Sequence, residues 1–129
     1  IVFEPEVHFG AQVLVPDLAG WRRSQTPRFD TSVAYHRERP SWVAEVISPS
    51  TARIDRIRKM EIYREAGVEH AWLVEPRSRL IEVFENGPSG WIRTHAVGEE
   101  AEIGLPPFDA VPLAVGCLWL DAADDDDET

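Results

Sequence analysis

Three residues whose types together suit phosphate chemistry fall in order along this chain. Asp17 ends the run VLVPD, Glu45 sits inside WVAEVI, and Lys59 lies in the helix-like segment that follows. Glu45 poses the sharpest question. A carboxylate inside an apolar strand is costly to ionise unless it is paired or holds a cation. Asp17 poses a similar one, at the end of a short apolar strand whose ladder Pro16 has already broken. Two carboxylates held close repel, so one tends to keep its proton. A bound divalent cation reverses that logic and makes the pair favourable. Hard cations such as Mg2+ are held by one or two carboxylates, with waters and phosphate oxygens completing the octahedron. Lys59 is the chain's only lysine beside twelve arginines. Its compact ammonium changes pKa readily when buried, as a guanidinium does not. It can offset charge on a phosphate or orient an attacking water.

The elements that must position these residues read as an α/β outline. The pattern predicts a strand over Gln12–Val15, a long loop over residues 22–40 with a short helix near Thr31–His36, and a second strand over Trp42–Ile47. Ser48-Pro49-Ser50 breaks that strand, and Ser50 or Thr51 can cap a helix over Ala52–Ala66. Ile54 and Ile57, with Met60, Tyr63 and Ala66, would form its buried stripe, and Gly67 its stop. A third strand follows over Ala71–Val74, closed by Pro76. Leu80–Phe84 and Trp91–Val97 then alternate as a hairpin around residues 86–90. The apolar end, from Phe108 to Leu120, is expected to pack back as a short strand or turn. Strand, helix, strand over residues 42–74 is a parallel crossover, whose strands are covered on both faces. If the first two strands are neighbours, Asp17 and Glu45 project together at one end of the sheet.

Composition bounds the rest. A chain of 129 residues, 43% of them hydrophobic, suits one domain, expected over residues 1–120. No apolar run approaches the roughly 20 residues that span a membrane. The opening IVFEPEVHFG, beginning at Ile1, reads as the inside of a domain, so an N-terminal portion is expected to be missing. Cys117 stands alone, which fits a reducing cytoplasm. The net charge of −10 weighs against a polyanionic partner, but six of the acids lie in the tail, residues 121–129, which reads as a disordered solvated end. Without them 17 acids face 13 bases. The segment from Arg53 to Arg64, with Arg56, Arg58 and Lys59 against Asp55 and Glu61, carries a local charge of +3. With a screening length of about 8 Å, a distant tail does not cancel such a patch. Ser48 and Ser50 lack a nucleophile elbow and read as turn and capping residues. No ligand role follows for the scattered His8, His36, His70 and His95.

Taken in order, VPD, WVAEVISPST, DRIRKMEIY and GVEHAWLVEP resemble the Uma-two family of endonuclease-like proteins (domain of unknown function 820), within the PD-(D/E)xK nuclease superfamily. The resemblance covers most of residues 4–120 and is most specific between Trp42 and Pro76. It implies a restriction-endonuclease-like fold, a central mixed sheet flanked by helices, and a metal site to which Asp17 and Glu45 contribute. The superfamily's lysine stands two residues after the glutamate, where this chain has Ile47; Lys59 matches a position displaced to the next helix. The implied activity is that of an Mg2+-dependent endodeoxyribonuclease, with Mn2+ able to substitute. Asp17, Glu45 and Lys59 would be catalytic, with DNA as partner and a homodimer expected. Arg53, Asp55 and Arg56 would support the site or contact DNA. Tyr63 reads as a packed tyrosine whose hydroxyl borders the site, and Trp21 as a candidate for stacking on a base. Two other readings stay open: an inactive nuclease-fold module binding DNA or protein, and an α/β domain in which Glu45 serves a structural ion pair.

Overall fold

Along the chain run β1 (Val2–Phe3), β2 (Val7–Phe9), β3 (Gln12–Leu14), β4 (Leu18–Gly20), β5 (Trp42–Val46), α1 (Arg53–Ala66), β6 (His70–Glu75), β7 (Leu80–Asn86), β8 (Trp91–Gly98), β9 (Glu102–Ile103) and β10 (Leu113–Ala114). The computed structural model describes residues 1–48, 53–98, 102–108, 110 and 112–114. The expected capping residues Ser50 and Thr51, the helix start at Ala52, Cys117 and the acidic tail lie outside the described residues.

Six strands form one mixed sheet in the order β1-β4-β5-β6-β7-β8. Strand β5 pairs in parallel with β6, Trp42 facing His70 and Glu45 facing Leu73, and α1 makes the crossover between them. All other pairings in this sheet are antiparallel. The first four residues of β5 are buried, as a strand covered on both faces requires.

Side-chain alternation gives the sheet two different faces. Ala19, Val43 and Ala71 point toward α1 and pack with Tyr63 and Val68. Trp72 and Val74 point the other way, toward Ile81, Val83 and Leu105. That second face, where Trp42, Ala44 and Val46 also lie, borders an apolar cavity of about 540 Å³. A separate hairpin, β2–β3, turns through Gly10 at φ 62°, a conformation open to glycine at little cost, and lays Phe9 and Leu14 against the α1-side cluster.

Three sequence expectations change. The strand next to β5 is β4, not the segment at Gln12–Val15, whose three-residue strand pairs with β2. No helix forms near Thr31–His36: the Asp30 carboxylate takes both the N–H and the hydroxyl of Ser32, and His36 bridges to Val7. Such local side-chain bonds compete with helix. Ile54 and Ile57 are not buried; they are 81% and 53% exposed, and the packed side of α1 begins at Met60. The single helix among the described residues therefore covers one sheet face from its second half only.

Candidate active site

Asp17 and Glu45 meet because of where β4 begins. The β4–β5 register pairs Leu18 with Ala44, so one residue further back Asp17 stands opposite Glu45. Pro16, buried and without an N–H, ends the ladder there. Asp17 fills the gap with both of its carbonyl groups. Its main-chain oxygen accepts from Glu4 N–H at 2.9 Å, and its side-chain Oδ2 accepts from Val46 N–H at 2.6 Å. Asp17 thus stands immediately before β4 rather than ending the preceding strand.

Glu45 is only 8% exposed and faces α1. The helix answers it with two residues one turn apart. The Tyr63 hydroxyl donates to Oε1 at 2.5 Å, and the Lys59 ammonium lies 3.8 Å from Oε2. Residues at i and i+4 share a helix face, so the spacing of Lys59 and Tyr63 aims both at one carboxylate. Burial pushes the Glu45 carboxyl above the usual glutamate range, and the nearby Asp17 carboxylate adds to that; the Tyr63 hydrogen bond and the Lys59 charge oppose it. Tyr63 is wholly buried, and its burial together with the charge on Glu45 keeps its hydroxyl protonated far above the ordinary tyrosine range.

The helix terminus fixes this geometry. Gly67 takes φ 88°, its N–H bonding Arg64 O and the next N–H bonding Tyr63 O. A Cβ at Gly67 would meet only the end of the flexible, exposed Arg39 side chain, at 2.8 Å from its guanidinium, so it is the conformation rather than space that calls for glycine. Phe9 presses edge-on against the Tyr63 ring, centroids 5.7 Å apart.

The remaining candidates scatter. Arg53, Asp55 and Arg58 are exposed on the first turns of α1, and Arg56 is half-buried. Trp21 is committed within the molecule: its ring stacks on Phe29 at 4.4 Å, and its indole N–H donates to Glu38 O. Ile47, at the strand position two beyond Glu45, continues the β5 ladder through Val74 O. Two participants were missed in the sequence. The Val46 N–H had no signal except the proline beside Asp17, and Phe9 had none.

The donor chemistry fits a hard cation. Among the described residues no group of three or more His, Cys, Asp or Glu gathers as a metal cluster, so the centre offers two carboxylates. Mg2+ and Mn2+ accept such a set, completed by water and phosphate oxygens.

Comparison with known proteins bears on the family and the fold. The model of the Uma2 family, described as "putative restriction endonuclease", matches residues 2–116. The crystal structure of a "putative nuclease belonging to DUF820" from Anabaena variabilis superposes with a TM-score of 0.73 at 20% identity. The match covers 92% of this chain and 66% of that one, so the chain spans just under two thirds of its length. At that identity the likeness establishes the restriction-endonuclease-like fold. No curated protein matches the chain.

Proposed function

The chain belongs to the Uma2 family, and from that membership and the grouping of Asp17, Glu45 and Lys59 we propose that it is a metal-dependent endonuclease hydrolysing DNA phosphodiester bonds. One observation carries the reading: Glu45, buried in the central strand, has Asp17 opposite and a lysine ammonium 3.8 Å away. A purely structural ion pair needs no second carboxylate, and adding one raises the cost of keeping Glu45 charged. A cation removes that cost.

In this reading Asp17 and Glu45 hold Mg2+, which when bound supplies an activated water and offsets charge on the phosphate. Lys59, fixed beside Glu45 Oε2, orients that water or neutralises the developing phosphorane. A P–O bond would form to the water oxygen, which gives up a proton to solvent, while one ester P–O bond breaks and the departing oxygen takes a proton from solvent. The exposed arginines of α1, Arg53 and Arg58, and those of the 22–39 loop, Arg22, Arg23 and Arg28, would follow the phosphate backbone. Cutting both strands of a duplex calls for two sites, which a homodimer would supply.

The test is a calorimetric Mn2+ titration of the wild type beside Glu45→Gln, followed by plasmid cleavage. The expected result is saturable binding that weakens by at least about 100-fold in the variant, with nicking only in the wild type. Absence of saturable binding in the wild type would overturn the reading.

A further inference from the structure

We propose that Tyr63 is a positioning residue that makes Glu45 a one-oxygen ligand, and that it thereby selects a small octahedral cation over Ca2+. The inference rests on the metal site proposed above. Tyr63 is 0% exposed, so no water competes for its hydroxyl, and that hydroxyl donates to Glu45 Oε1 at 2.5 Å. A bond of that length from a phenol to a carboxylate is among the stronger ones. The ring behind it is held by Phe9 on one side and by Val43, Ala19 and Ala71 in the same cluster. The donor is thus fixed, and Glu45 has Oε2, the oxygen nearest Lys59, left to offer.

Asp17 is treated in the same way. Its Oδ2 is taken by the Val46 N–H at 2.6 Å, which leaves Oδ1. Each carboxylate of the pair therefore has one oxygen held by a short hydrogen bond, and the other oxygen of Glu45 faces only the Lys59 ammonium at 3.8 Å, beyond hydrogen-bond length. Single oxygens suit Mg2+ and Mn2+, which demand near-octahedral geometry at about 2.1 Å, whereas Ca2+ takes more ligands and often both oxygens of a carboxylate. The sequence marks Tyr63 as a packed aromatic; its contact with Glu45 adds a function that packing alone does not require.

The experiment titrates wild type, Tyr63→Phe and Glu45→Gln with Mn2+ and with Ca2+ by calorimetry, with thermal melts alongside. Wild type is expected to prefer Mn2+. Tyr63→Phe keeps the ring and is expected to lose about 10-fold in Mn2+ affinity and less in Ca2+ affinity, because the freed Oε1 allows two-oxygen binding. On duplex DNA its KM should be unchanged, since a buried residue touches no substrate. If Glu45→Gln loses Mn2+ while Tyr63→Phe binds both ions as wild type does, the inference fails and the metal site stands. Equal losses for both ions also overturn it. If Tyr63→Phe does not fold, wild type alone decides: equal affinity for Ca2+ and Mn2+ refutes one-oxygen presentation. If wild type binds neither ion, the metal site itself fails and takes this inference with it.

Discussion

Lys59 reaches Glu45 from the helix that follows the strand, its Nζ 3.8 Å from Oε2, while Ile47 occupies the position two residues along the strand. The charge arrives at the carboxylate by a route 12 residues longer than a strand lysine at position 47 would need, but at ion-pair distance. The Lys59 side chain is about a quarter exposed, so part of its field reaches solvent and any substrate there.

That placement makes Lys59→Ala diagnostic. If the ammonium acts on the phosphate or the water, its loss should lower kcat by about 100- to 1,000-fold, the cost of deleting one preorganised electrostatic group. Mn2+ affinity near pH 8 should hold or tighten, because a positive charge has left the neighbourhood of the cation. Single-turnover cleavage and calorimetry on the same preparation separate the two. A variant that cleaves normally would make Lys59 a structural partner of Glu45 only.

Asp17 does two jobs, and two substitutions part them. Asp17→Asn keeps an oxygen for Val46 N–H, so it should melt within about 0.5 kcal/mol of wild type yet lose Mn2+ binding. Asp17→Ala also strands the Val46 N–H, and is expected to cost about 1–2 kcal/mol in denaturant unfolding as well. Equal stability of the two variants would show that the hydrogen bond contributes nothing to folding.

Glu45 makes metal binding depend on pH in a stated direction. Its carboxyl is raised above 4.5 in the folded chain, chiefly by burial. A cation must displace the proton, so Mn2+ affinity should climb as pH rises through that elevated value and level off above it. The stability of the metal-free protein runs the other way. Between 4.5 and the folded value the native state binds more protons than the unfolded one, so stability falls as pH rises there and is not regained above. Glu45→Gln removes that slope. Its melting temperature near pH 7.5 should equal or exceed that of wild type, and a clear loss would mean that Glu45 is a net stabilising charge.

The sequence exposed the centre of this fold better than its edge. Strand β5, helix α1, strand β6 and the β7–β8 hairpin are long enough to show a period, and Asp17, Glu45 and Lys59 were legible because each broke a local pattern. Strands β1 and β4 have two and three residues, too few to alternate, so β4 was not anticipated and Asp17 was assigned to the wrong strand end. The helix misled differently. Ile54 and Ile57 recur at helical spacing, but spacing names a face and not what lies opposite it. The sequence placed the Tyr63 hydroxyl at the border of the site but not its bond to Glu45, which depends on how α1 is rotated over the sheet.

The outer face of α1 gives the last prediction. Arg53 and Arg58 are exposed beside Ile54, which is itself 81% exposed, so none of the three contributes much to the core. Single alanines at Arg53 and Arg58, and Ile54→Gln, should each leave stability within about 0.5 kcal/mol of wild type. The arginine variants should differ in DNA affinity. Deleting a guanidinium that neutralises a phosphate flattens the dependence of log affinity on log salt by about one. It does so equally for unrelated duplexes, because binding to the backbone carries no sequence information. Ile54→Gln, which removes no charge, should keep the wild-type slope. Fluorescence anisotropy on two duplexes across a salt series, with Ca2+ in place of Mg2+ to suppress cleavage, measures this. If neither arginine changes the slope, the DNA path does not cross this part of the helix, and the basic loop at residues 22–39 becomes the surface to dissect next.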